Sequence, residues 1–264
     1  EKRSSLSADA VDKGSYRHFM AKEIHEQPQA LMQTLQGRVA EGRVLEACLG
    51  PNADALLSKI DAIHIAACGT SAHAGQVARY AFEQIAHIPC QVELASEFRY
   101  RDPLVAPNTL FITISQSGET ADTLEALRHA RKTGQLAASL VICNAPESSL
   151  VRESDIALMT DAGPERSVAS TKAFTTQLMA LSLIVLLIAR RRGAIDAAKE
   201  AELIAALQAV PGQIETILLQ ENRLRAHAER LMLKPNALFL GRGPMWPVAM
   251  EGALKLKEIS YIHA

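Results

Sequence analysis

The densest run of chemistry-bearing residues is Ser115-Gln116-Ser117-Gly118-Glu119-Thr120, which leaves an apolar run and enters a segment with helical periodicity. Small residues let a backbone approach an anion closely. A helix N-terminus offers N–H groups without partners, and hydroxyls at 115, 117 and 120 add neutral donors. The run therefore suits a phosphate cradle, and it equally suits plain helix capping, with Glu119 favourable in a first turn. Cys68-Gly69-Thr70-Ser71 repeats the arrangement at the end of an earlier apolar run, so two hydroxyl-rich loops of one sheet can converge. Neither glycine is followed by a P-loop lysine and no G-x-G-x-x-G is present, which counts against nucleoside triphosphates and dinucleotides. A small phosphate ester fits better. Cys68 has no identifiable base beside it and reads as a buried thiol at a strand end.

A third loop, Ser167-Val168-Ala169-Ser170-Thr171-Lys172, precedes a long apolar segment. Ser170 or Thr171 can cap that helix, and a capped loop can still present backbone groups to a sugar hydroxyl. Further on, Glu251, Lys255 and Glu258 are spaced by four and three residues, which puts them near one face of a helix. Such pairs ordinarily sit on solvated faces; the chemical alternative makes Glu258 a general base and Lys255 its positioner or a ligand for a sugar oxygen. The eight histidines show no paired ligand spacing, and His73, close to the Thr70-Ser71 loop, reads as a helix-surface residue. No metal and no cofactor are expected.

The elements that must position these loops alternate along the chain. Strand-like runs at Ile63–Ala67, Cys90–Leu94, Leu110–Ile114, Ser139–Cys143 and Ile156–Met159 are interleaved with helical periodicity at Ala72–Ile85, Ala121–Thr133 and Thr171–Arg190. This is the pattern of an α/β fold, a doubly wound parallel sheet of five strands whose ligand sits beyond the carboxyl ends of the strands. Ahead of it, Tyr16–Gln36 reads as helical, with Pro28 in the first turn of a second helix. Behind it, helices are expected over Ala197–Ala209 and Gly212–Met232, separated at Pro211, and a new strand from Ala237.

Leu238-Phe239-Leu240-Gly241-Arg242-Gly243-Pro244 echoes the strand-to-helix turn at Ile65–Ser71, which suggests a second, duplicated unit. That unit ends at Ala264 after one strand and one helix, and one such pair cannot bury its own apolar face. The expected division is thus a helical lead-in arm over 1–60, a first domain over 61–195, and linker helices with the incomplete start of a second domain over 196–264.

Composition narrows the function. The 264 residues are 48% hydrophobic and 22% charged, with a formal net charge of −1 and dispersed Lys and Arg, so no nucleic-acid footprint is present. Cys48, Cys68, Cys90 and Cys143 are widely spaced and read as reduced thiols of a cytoplasmic protein. The N-terminus, Glu1 to Leu6, lacks the apolar core of a secretory signal. Leu178–Ala189, apolar and followed by Arg190-Arg191-Arg192, falls short of the roughly 20 residues of a membrane span and suits a buried helix instead.

These residues together resemble a known family. Tyr16-Arg17-His18-Phe19-Met20, Glu26-Gln27-Pro28, Ala67–Ser71, Glu97-Phe98-Arg99-Tyr100-Arg101, Ser115–Thr120, Val168–Phe174 and Glu251–His263 resemble the isomerase region of the glutamine–fructose-6-phosphate aminotransferase (glucosamine-6-phosphate synthase) family. The resemblance runs over all but about the first ten residues. It implies a SIS-type (sugar isomerase), flavodoxin-like fold that binds fructose 6-phosphate or glucosamine 6-phosphate and moves a proton between the first and second carbons. Carried onto this chain, Ser71, Ser115, Gln116, Ser117 and Thr120 would hold phosphate, and Thr70, Val168 and Ser170 would meet the sugar. Glu258 would be the proton-transferring base, with Lys255 beside it, and a homodimer is implied. A carboxylate in reach of both carbons can shuttle that proton.

The departures from the family are a glutaminase domain, without counterpart before Glu1, and a histidine and a lysine used in ring opening and Schiff-base chemistry, which would lie past Ala264. Two other readings compete: a stand-alone SIS deaminase or isomerase acting on an amino-sugar phosphate, and a non-catalytic module that senses a sugar phosphate.

Overall fold

The structure, a computed structural model, describes residues 12–264; the reading of Glu1–Leu6 therefore lies outside the described residues. Helix α1 (Phe19–His25) runs into α2 (Gln27–Leu35), which carries Pro28 in its first turn, where the missing N–H is no loss. A short antiparallel pair, β1 (Val39–Ala40) and β2 (Arg43–Val44), a 3₁₀ turn over Glu46–Leu49 and α3 (Ala53–Leu57) follow. These first elements are more than a helical arm. Leu31, Leu35, Val44, Leu49 and Leu57 belong to the same buried cluster as the central sheet.

The sheet is formed by β3 (Ala62–Ala67), β4 (Cys90–Leu94), β5 (Thr109–Ser115), β6 (Leu136–Cys143) and β7 (Ile156–Met159). All pairings are parallel and the order is β4-β3-β5-β6-β7, the flavodoxin-like order expected from the strand–helix alternation. Strands buried on both faces need not alternate. Every residue of β5, including Thr109, Thr113 and Ser115, is buried. The crossovers carry α4 (Gly69–Gln84), α5 (Ala95–Phe98), α6 (Ala121–Lys132) and α7 (Ser149–Glu153).

Helix α8 (Lys172–Arg191) is 20 residues long and apolar enough to cross a membrane by length and composition. This corrects the expectation that the segment is too short. What decides its place is burial: fourteen of its side chains, from Lys172 to Ala189, lie inside, packed between the sheet, α2 and α4. Its C-terminal arginines, favourable beside the helix dipole, find acceptors. Arg190 pairs with Glu200 at 2.7 Å and Glu46 at 3.1 Å, and Arg191 pairs with Glu46 at 2.6 Å.

Two expectations fail in the last third of the chain. Pro211 lies inside α9 (Ala197–Leu218) rather than between two helices, and the chain bends by 62° only at Leu219–Gln220, before α10 (Glu221–Leu231). Proline inside a helix costs about 3 kcal/mol; here Pro211 is itself buried and its neighbours Leu207, Val210 and Ile214 pack on the core, which offsets that cost. The second failure is the strand from Ala237. Its ladder is one isolated parallel bridge, Asn236 to His263, with Ala237 N–H donating to the His263 carbonyl at 2.9 Å. A strand exists only by pairing, and Leu238 and Leu240 remain 89% and 88% exposed. Helix α11 (Met245–Ser260) closes the described chain and packs against α4.

Candidate phosphosugar site

The carboxyl ends of β3 and β5 open onto one polar cavity of about 270 Å3, near the lower end of ligand pockets at roughly 300 Å3 and suited to a small molecule. Cys68, Thr70 and Ser71 enter it from the β3–α4 turn, Ser115, Gln116, Ser117 and Thr120 from the β5–α6 turn, Val168 and Ser170 from the loop before α8, and Lys255 and Glu258 from α11. Every residue singled out in the sequence as a candidate contact thus lines the same cavity. Cys68 is half-buried and faces it, rather than being sealed in the core.

Local chemistry explains the loop shapes. Gly118 has φ +67°, and a Cβ there would lie 2.0 Å from Ser148 Oγ, so only glycine fits. Gly118 N–H donates to Ser115 Oγ at 3.0 Å, Ser115 Oγ meets Thr120 Oγ1 at 3.0 Å, and Glu119 N–H donates to Ser117 Oγ at 3.2 Å. Neither Cys68 nor Thr120, the N-cap residues of α4 and α6, makes a side-chain cap. Plain capping therefore does not account for these hydroxyls. The first-turn N–H groups of an α-helix have no intrahelical acceptor, and the positive dipole end favours an anion; two such ends flank the cavity.

Glu119 is not in the first turn of α6 but accepts from Ser149 N–H at 2.7 Å, at the start of α7. That bond, together with nearby Arg152, holds its carboxyl below the usual range. Likewise, neither Ser170 nor Thr171 caps α8. Glu165 does so from outside, accepting from Thr171 N–H at 2.8 Å and Ala173 N–H at 3.1 Å.

On α11, Lys255 Nζ donates to Glu258 Oε2 at 2.7 Å and lies 3.6 Å from Glu251 Oε1. Glu258 is the more open of the two, its side chain 37% exposed against 18% for Lys255. Glu251, read from spacing as part of a solvated face, is buried. Thr70 Oγ1 donates to its Oε1 at 2.8 Å and His73 Nδ1 lies 2.7 Å from its Oε2. His73 is accordingly not a free surface histidine but part of the joint between α4 and α11. The missed signal was weak: Thr70 and His73 are three apart and share a helix face. Their partner lies nearly two hundred residues away. Among the described residues no group of three His, Cys, Asp or Glu side chains is placed to hold a metal ion.

A parallel sheet with hydroxyl-rich turns converging at its carboxyl edge defines an α/β domain with a small polar ligand cavity at that edge. A family model described as SIS domain matches residues 56–187, half of the chain, and the chain belongs to that family. Within it, the chain belongs with the C-terminal, SIS-containing part of the glutamine–fructose-6-phosphate aminotransferases. It is 59% identical over 261 residues to the isomerizing enzyme of that name from Escherichia coli, covering 99% of this chain and 42% of that protein. The C-terminal domain of glucosamine-fructose-6-phosphate aminotransferase from Francisella tularensis superposes with a TM-score of 0.94 at 48% identity, over 96% of this chain and 71% of that one. Glucosamine-6-phosphate deaminase from Thermotoga maritima shares the fold, with a TM-score of 0.70 at 24% identity over 93% of this chain and 68% of that one. The chain spans less than half the length of the curated relatives it matches.

Proposed function

We propose that the cavity binds a hexose 6-phosphate, fructose 6-phosphate or its glucosamine counterpart, and carries the aldose–ketose isomerisation part of glucosamine-6-phosphate synthesis. One observation carries this reading: four segments far apart in sequence bring hydroxyls, two uncapped helix N-termini and a carboxylate–lysine pair to a single small cavity. Ser71, Ser115, Gln116, Ser117 and Thr120 surround the phosphate, and the helix ends stabilise its charge. Thr70, Val168 and Ser170 meet the sugar.

Glu258 serves as the base that takes a proton from one of the first two carbons and returns it to the other. Its 2.7 Å contact with Lys255 holds the carboxylate at the cavity, within reach of a bound sugar. The amino transfer named for the relatives belongs to the longer protein. The chain is further read as a cytoplasmic homodimer, without nucleic-acid or membrane partners.

Isothermal titration tests the cavity. Fructose 6-phosphate should bind saturably, unphosphorylated fructose should not, and Ser117→Ala should weaken binding by about tenfold, the worth of one charge-assisted hydrogen bond. Equal binding of fructose and its phosphate would sink the reading.

A further inference from the structure

We propose that Glu23 of α1 is a positioning residue for the sugar side of the cavity, holding the loop that presents Val168 and Ser170. The proposal rests on reading that loop as the sugar contact. Glu23 is 2% exposed, an expensive place for a carboxylate unless its oxygens are fully used. Its partners lie more than a hundred residues away. Oε1 accepts from Arg166 N–H at 2.5 Å and from Ser167 N–H at 3.2 Å, and Oε2 accepts from the Ser167 hydroxyl. Two successive backbone amides and a hydroxyl on one buried carboxylate fix the path of the chain one residue before Val168.

The same face of the N-terminal helix pair secures the rest of the loop. Glu26 pairs with the buried Lys172 at 2.6 Å, the Arg166 guanidinium stacks over the Phe19 ring at 5.2 Å, and Thr34 Oγ1 donates to the Thr160 carbonyl at 2.6 Å. Past the Thr160 N–H bond to the Cys143 carbonyl at 2.8 Å, these side chains hold the loop in place of ladder bonds. Without Glu23, the two amides lose their acceptor and Val168, already 98% exposed, loses the constraint on its neighbour. The entropy of ordering the loop would then fall on ligand binding.

Two measurements on the whole chain test this, using Glu23→Ala and Glu23→Gln. Titration compares fructose 6-phosphate with glycerol 3-phosphate, an ester that reaches the phosphate loops but not the far loop. Glu23→Ala should weaken fructose 6-phosphate by about tenfold while glycerol 3-phosphate changes less than about twofold, with Glu23→Gln between, since its remaining oxygen still accepts. Ser117→Ala should instead weaken both. Hydrogen exchange, which needs no ligand, should quicken at the Arg166 and Ser167 amides in Glu23→Ala and stay unchanged in β5. Equal losses for the two esters, or unaltered exchange at those amides, would overturn the proposal. Absence of fructose 6-phosphate binding by the unaltered chain would remove the cavity reading, and the sugar-side role with it, whereas the exchange result alone reports whether Glu23 holds the loop.

Discussion

The turn from β3 into α4 and the segment Leu238–Pro244 are written in similar letters, an apolar run and a glycine-containing turn before a helix, yet they end in opposite states. Ile65, Ala66 and Ala67 are fully buried between strands on both sides, while Leu238 and Leu240 stand in solvent beside one isolated bridge. An apolar run is only permission to be a strand; neighbours with free N–H and C=O groups make it one. Helix α11, which follows the exposed run, nevertheless carries the candidate base Glu258. One link of α11 to the sheet domain is the buried Glu251, held by Thr70 and His73 of α4.

The largest expected effect lies in the buried member of the comparison. Ile65→Ala, in β3, should cost about 2–5 kcal/mol by lost burial and cavity formation, whereas Leu240→Ala should stay within about 0.5 kcal/mol. Urea denaturation of both variants measures the contrast, and equal losses would break it. Next in size, Glu251→Ala strips acceptors from Thr70 and His73 and should cost about 1–3 kcal/mol. If Glu251 is the joint, hydrogen exchange in α11 should rise while that of β5 holds; uniform change in both would deny it that role.

The smallest effect is a pH slope from the opposite face of the sheet. Burial pushes the His64 imidazole down, and the Glu93 carboxylate, 3.3 Å away but poorly aligned for a hydrogen bond, does not cancel it. The unfolded chain therefore binds a proton that the folded chain resists. Stability should be full above the unfolded value of roughly 6.5 and decline as pH falls through the window below it. His64→Gln should flatten that decline in denaturation series between neutral and mildly acidic pH. An unchanged slope would place its origin elsewhere.

Much of the site was legible because its residues sit where element boundaries are written locally. Ser115–Thr120 follows an apolar strand and carries a glycine with positive φ, and Cys68–Ser71 does the same two crossovers earlier. Pro211 misled because its local rule, that proline ends a helix, yields when the surrounding turn is buried against α2 and the core. The caps misled for a related reason. The hydroxyls of Ser170 and Thr171 are the near candidates, but Glu165 reaches the N–H groups of α8 from across the loop.

By itself, the sequence determined the parallel α/β class, the strand positions to within a residue or two at most ends and the two hydroxyl-rich turns that leave β3 and β5. Periodicity, turn residues and loop hydroxyls act over a few residues and are encoded locally. Only the tertiary structure decided that Glu251 is buried, that Glu23 holds the Arg166–Ser167 backbone, and that Leu238–Leu240 forms no ladder with a sheet. Each depends on a partner distant in the chain. Whether a carboxylate is solvated or shared, or an apolar run paired or bare, is settled by which surfaces the fold brings against it.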